Sequence, residues 1–412
     1  MKDNLFILLL ILLYFMSPHT YILNGVSRLS VGYILLGLLL LINVLLTKKI
    51  RLPSSDNFYA SMIIILMIFS VSELLFRGNL ERFVGWSVVL LATVMLWVSR
   101  FDRIASFIKK YVAVLSLIAF ISSIFSMLYI LDYNMDGLVV KNSILYNTIL
   151  HYDSFTSNVN VEIFRKIPRF TGHLQQASLI PAYFLFPLSI ALMTVRLRLI
   201  IVLPILAFGL LSFSGSVHFI YLMSFFVFLF AKPIRKGGFL LPALFALAVF
   251  VFAYHISSIY AVHNDGVSNT AFVRISSGLS RVVILGNQIK EFLTFPVIGL
   301  PSSHDNVNTF LLGSMIIGAG IRSGIVGLLL MVYIWYLTIS RLLKFKPATF
   351  QQRLGFSIAY SCLIMMFVYQ DYGFSSTMGF ISLSVLMIVL KNKSSNAAAM
   401  GLKGFRQEAE CA

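Results

Sequence analysis

The hydrophobic positions of this chain do not alternate with polar ones. They form long unbroken runs, as over residues 31–46, separated by short clusters of basic and turn-forming residues. A membrane-spanning helix needs about 20 predominantly apolar residues, with a range of about 17–25. On that measure the pattern predicts spans over residues 5–23, 30–47, 58–76, 83–99, 111–131, 174–195, 199–212, 217–231, 238–257, 307–338, 354–370 and 374–390. Unbroken runs exclude a transmembrane barrel, whose strands alternate. The prediction is an all-α, polytopic bundle of about 12 transmembrane helices. Only Lys2 precedes the first run and no small-residue cleavage site follows it, so it reads as a span rather than a signal peptide.

Two intervals break the rhythm. Residues 132–173 and 258–306 form loops far longer than the other connections. The chain thus divides into helices 1–5 over 1–131, a first large loop over 132–173, helices 6–9 over 174–257, a second large loop over 258–306, helices 10–12 over 307–390 and a tail over 391–412. Loops of this length are usually functional or disordered. Their content of Phe, Tyr, Ile and Val disfavours disorder, and short helices lying on the membrane surface are expected. Residues 199–231 are long for one span, short for two, and flanked by Arg196 and Arg198 on one side and Lys232, Arg235 and Lys236 on the other. Both clusters favour the cytoplasm, so the chain must cross twice, with a tip over Ser212–Ser216 at or below the outer interface. Polar backbone at that depth must line protein or water. No internal repeat is evident, which weighs against an inverted-repeat transporter.

Composition sharpens this picture. Charged residues make up 11% and hydrophobic residues 59%, with a mean hydropathy of +0.91, whereas soluble domains carry about 25% charged residues. The net charge of +17 would suit nucleic acid, but membrane proteins collect Lys and Arg in cytoplasmic loops. With the N-terminus inside, every inner connection is basic and most of the 32 Lys and Arg fall on that side. The short outer connections hold only Arg28, Arg77 and Arg82, with Arg322 near the membrane. The orientation is therefore N-in, C-in, and no nucleic-acid partner is implied. Cys362 and Cys411 stand in no metal-ligand or disulfide pattern, and no metal or other cofactor is implied.

That orientation makes the cations of the outer loops the anomaly. The first loop ends in Arg165, Lys166 and Arg169, just before a span. One reading is interfacial anchoring by snorkelling cations. The other is an anion site, because Arg forks phosphate bidentately. The second loop carries Arg274 and then Arg281, whose following residues read as a short amphipathic helix ending at Pro296 and Gly299. His304, Asp305, Asn306 and Asn308 come next. They suit either a polar helix cap or a general base with an orienting partner. The next span is rich in Gly, which reads first as close helix packing. It also holds Arg322, whose charge calls for a cavity, a partner or a place near the outer face. Glu73 is placed to pair with Arg77 one turn later. His218, His255 and Asp371 read as interfacial.

Arg281, Phe292 eleven residues later, Pro296, Gly299 and a polar stretch opening a Gly-rich span resemble the bacterial O-antigen polymerase and ligase superfamily. Arg169-Phe-Thr-Gly172 running into a Pro-containing span does so too. The resemblance implies an inner-membrane enzyme with two large periplasmic loops that acts on glycans linked to undecaprenyl pyrophosphate. A polymerase of this kind joins repeat units; a ligase moves the chain to lipid A core. The ligase-type His-Asn pair is replaced by Val307-Asn308, which favours polymerase. The resemblance implies Arg281 and Arg169 for the pyrophosphate, with Arg165, Arg274 and Arg322 in support, and His304 or Asp305 as base. It implies no metal, and leaves room for a chain-length regulator protein as partner. A lipid-linked glycan flippase is the alternative of another class.

Overall fold

The structure, a computed structural model, describes residues 56–75, 80–98, 101–130, 152–153, 169–170, 179–212, 214–263, 277–297, 299, 314–369 and 379–392; of Arg169 and Arg281 it describes the backbone alone. The predicted spans over 5–23 and 30–47 lie outside these residues.

Helix α1, Asn57–Leu75, starts where Asp56 Oδ1 accepts the Phe58 N–H at 3.1 Å, satisfying one of the free amides of the first turn. Helix α2 covers Leu80–Val98 and α3 covers Phe101–Ile130. The predicted span over 111–131 began ten residues late, because the exposed Lys109 and Lys110 end a hydrophobic run without ending the helix. Helix α4, Pro181–Thr194, opens with a π-helical turn in which the Phe186 N–H reaches Pro181 O. Pro187 follows directly and has no N–H to continue an α pattern. Then come α5 (Leu199–Leu211), α6 (Gly215–Leu229), α7 (Ala231–Gly237), α8 (Leu240–His263) and α9 (Ser277–Thr294). Next are α10 (Met315–Lys344), α11 (Phe350–Ile364, continued by a π-helical turn over Met365–Tyr369) and α12 (Gly379–Asn392).

Four of these helices are long and apolar enough to cross a membrane: α1, α3, α8 and α10. A fifth crossing exists if α6 and α7, bent by 87° at their junction, form one broken span. The predicted spans over 83–99, 174–195, 199–212 and 374–390 are occupied by shorter apolar helices, α5 among them with 13 residues. At 1.5 Å per residue α5 is about 20 Å long, well short of the roughly 30 Å hydrocarbon layer. The α5–α6 tip accordingly lies in protein: Ser212, Ser214 and Ser216 are buried, and Ser212 Oγ donates to Gly209 O at 2.6 Å.

The short amphipathic helix expected in the second loop is present as α9. The described part of the first loop differs. Tyr152–Asp153 (β1) pairs antiparallel with Arg169–Phe170 (β2), setting Asp153 opposite Arg169.

Helices α4, α11 and α12 are buried on nearly every side. A Cβ at Gly355 would fall 2.7 Å from Ser189 O, so α11 lies directly against α4 there. Helices α1, α3 and α8 instead present broad exposed apolar faces, with Leu75 70%, Leu117 60% and Leu247 59% exposed. Such faces suit lipid rather than water.

One end of the bundle is tied by polar contacts. Asp56, its side chain 2% exposed, receives Arg341 at 2.8 Å and Lys391 at 3.3 Å. This joins the N-terminus of α1 to the C-termini of α10 and α12, each charge at the helix end whose dipole favours it. At the same end Arg235 Nε donates to Leu343 O at 3.3 Å, and Gln351 pairs with both backbone groups of Leu197.

Burial opposes the Asp56 charge, but the hydrogen bond and charge of Arg341, the Phe58 amide and Lys391 outweigh it and hold the carboxyl below its ordinary value of 3.8. The charged form is thus stabilised by folding. Its contribution is fully present above the ordinary carboxylate value and is lost as pH falls through the lower folded value. The cations reach water, so Asp56→Asn is expected to cost about 1–2 kcal/mol rather than the 3–5 of a fully buried pair. Thermal unfolding in detergent from pH 7 down to pH 3 checks this: the gap between wild type and D56N should narrow toward the acid end.

Candidate functional site

Helix α10 is not continuous. Ser323 (φ −138°, ψ 17°) and Gly324 (φ 65°, ψ −156°) break it, the latter in the left-handed region that favours glycine. The predicted span over 307–338 is thereby corrected. Residues 325–344 alone make about 30 Å of helix, one full membrane thickness. Residues 315–322 form a separate short helix beyond the break. The hydrophobic run concealed the break because apolar side chains continue on both sides of it.

The short helix is buried from Met315 to Ile321. Its cap, Ser314, accepts from the amides of Ile316 and Ile317 at 3.2 and 3.4 Å and donates its hydroxyl to Phe367 O, in the π-helical turn after α11.

At the break itself the Ile325 N–H, freed from helical pairing, donates to Pro296 O at 2.7 Å. Gly299 (φ +87°) presses its backbone onto the same place. A Cβ there would fall 2.5 Å from Ile321 O and 3.0 Å from Gly324 N. One turn back, the Phe292 ring lies so close to Gly320 that a Cβ would meet it at 2.9 Å. Phe292, Pro296 and Gly299, three of the residues that carried the family resemblance, therefore seat α9 and the turn after it on the break.

Arg322 is the last residue before the break. Its guanidinium lies 5.5 Å from the Phe69 ring and 5.4 Å from the Trp86 ring. Those rings are 5.1 Å apart, and Trp86 meets Phe380 edge-on at 5.6 Å. The cation is thus half-buried between aromatic faces, an attraction of about 0.5–2 kcal/mol. Glu73, 2% exposed, stands one turn beyond Phe69 on α1. Phe69 and Glu73 lie about 20 and 26 Å along α1 from Asp56. The break therefore sits at the opposite end of the bundle from the Asp56 ion pairs. The charge of Arg322 is met near the edge of the apolar layer, not at its centre.

The predicted site residues fall into three groups. Arg322 is described with its contacts. Position 281 lies in the first turns of α9, on the helical stripe of Leu285, Gln288 and Phe292, about 16 Å along the axis from Phe292. Arg169 is placed by its strand pairing, opposite Asp153, and opposite charges across a strand pair attract. Arg165, Arg274, His304 and Asp305 lie outside the described residues, as does Arg77. Sequence reasoning missed Phe69, Trp86 and Asp153. No pattern marks an aromatic as the seat of a cation that stands 236 residues later in the chain, as Arg322 does from Trp86. His218 and His255 are exposed, and His218 Nδ1 lies 2.8 Å from Ser214 O of its own turn.

No family model, no curated protein and no solved structure matches this chain.

Gly299→Ala places a Cβ against Ile321 O at a positive φ, and is expected to lower stability by about 1–3 kcal/mol. Hydrogen exchange of the peptide holding Ile325 should quicken at the same time, as its amide loses Pro296. Gly85→Ala, where a Cβ meets nothing within 4 Å, serves as the control and should leave that exchange unchanged.

Proposed function

We propose that this protein is a glycan polymerase of the bacterial inner membrane, joining undecaprenyl-pyrophosphate-linked repeat units on the periplasmic face. In this reading about a dozen spans run N-in, C-in, and the two long loops are periplasmic. The end tied by Asp56, Arg341 and Lys391 then faces the cytoplasm, as its cations favour. The observation that carries the reading is the convergence of Phe292, Pro296 and Gly299 on the break beside Arg322. Three residues of the family resemblance meet at one structural feature, at the end of the bundle where a periplasmic lipid pyrophosphate would present itself.

The chemistry follows from the residue types. An acceptor sugar hydroxyl attacks the anomeric carbon of the donor. The new glycosidic bond forms as the carbon–oxygen bond to pyrophosphate breaks, and the lipid pyrophosphate leaves with the electron pair. The charge on the leaving group is what most needs stabilising. Arg281 and Arg169, supported by Arg165 and Arg274, are assigned to it. Arg322 marks the membrane rim, where a polyprenyl chain ends and its pyrophosphate begins. The acceptor proton passes to His304 or Asp305. No metal is required by this scheme, and a chain-length regulator protein would act from outside the bundle.

Arg281→Ala is expected to abolish long glycan chains while single capped repeat units persist on gels of surface polysaccharide. Normal chain-length ladders from this variant would overturn the assignment. A deletion strain showing no capped unit at all would instead indicate the ligase, and lipid-linked glycan crossing liposome membranes without product would indicate the flippase.

A further inference from the structure

Beyond that reading, and independent of it, the geometry points to a docking site for anionic phospholipid headgroups at the corner between α6 and α7. Helix α7 turns 87° from α6. A helix perpendicular to its neighbouring span lies along the membrane surface. Gly238 (φ +59°) permits the second turn, into α8. The chain thus lays seven residues flat between two upright helices.

This corner carries Lys232, Arg235 and Lys236. Their contacts bring Lys344, Lys346 and Arg353 to the same place: Arg235 Nε donates to Leu343 O, and the Arg353 guanidinium lies 5.5 Å from the Phe228 ring. Lys232, Lys236, Lys344, Lys346 and Arg353 are exposed. Asp56, at this end, is already held by Arg341 and Lys391, and none of the described ion pairs joins a carboxylate to the cations of the corner. The corner is therefore a patch of positive charge with no described protein counter-ion.

Apolar groups flank the cations. Phe230 is 53% exposed, Leu240 67% and Phe350 71%. Cations beside exposed apolar side chains at a surface-lying helix match a phospholipid: phosphate against Lys and Arg, acyl chain against Phe and Leu. A soluble anion would need no such apolar border. An in-plane basic helix also fixes the depth of α6 and α8, since lifting it would strip the cations of their phosphates.

The test uses the full-length protein in neutral detergent, with phosphatidylglycerol or phosphatidylcholine added. Native mass spectrometry is expected to show phosphatidylglycerol retained over phosphatidylcholine, with a matching rise in thermal midpoint. Lys232→Gln and Lys236→Gln together should weaken that retention by about fivefold per lysine. Lys346→Gln, on the facing side of the corner, should do so on its own by a similar factor. Equal retention of the two lipids, or the same stabilisation by inorganic phosphate alone, would overturn the proposal. If the double variant fails to fold, the Lys346 variant and the comparison of lipids still decide.

Discussion

The rest of this structure depends on how one interruption in a buried helix is satisfied. Backbone amides and carbonyls removed from water must find partners, and in lipid there is no solvent to supply them. The break at Ser323–Gly324 frees such groups at the edge of the apolar layer. The segment after α9 answers it by lending Pro296 O to the Ile325 amide and fitting Gly299 where no side chain would fit. A loop between helices thereby becomes part of the helical core. At the other end of the short helix, Ser314 performs the same service for two amides and donates its own hydroxyl to Phe367 O. The π-helical turn that holds Phe367 and the break in α10 are thus joined.

This arrangement explains where a charge is tolerated. Arg322 stands one residue before the break, with Phe69 and Trp86 against its guanidinium. An arginine in the middle of a straight span would face a large desolvation cost. Here the helix beyond the break is already a full membrane thickness long, so the cation comes to the rim. The aromatic faces lower the remaining cost while leaving the side chain half-buried.

The opposite end is organised by a different balance. Three helix termini meet at Asp56, and the surplus cations around α7 and the start of α11 find no described carboxylate. One end of the bundle is therefore held by backbone complementarity around a cation, the other by ion pairing set within a positive field. The proposed glycan chemistry belongs to the first end and the proposed lipid contact to the second.

The sequence by itself determined the all-helical class of the protein and the position of most of the described helices. Long apolar runs leave a backbone in lipid with few alternatives to the helix, and α1, α5 and α6 follow their predicted ranges closely. It also marked Phe292, Pro296 and Gly299 as a unit. It did not reveal what that unit does, because the partner of Gly299 is a backbone carbonyl that any sequence would supply. The break in α10, the 87° turn into α7 and the strand pairing of Arg169 with Asp153 were decided by tertiary structure. Hydropathy reports the solvent a segment prefers, and it is blind to direction. Direction is set by which backbone groups find partners, and those partners lie far away in the chain.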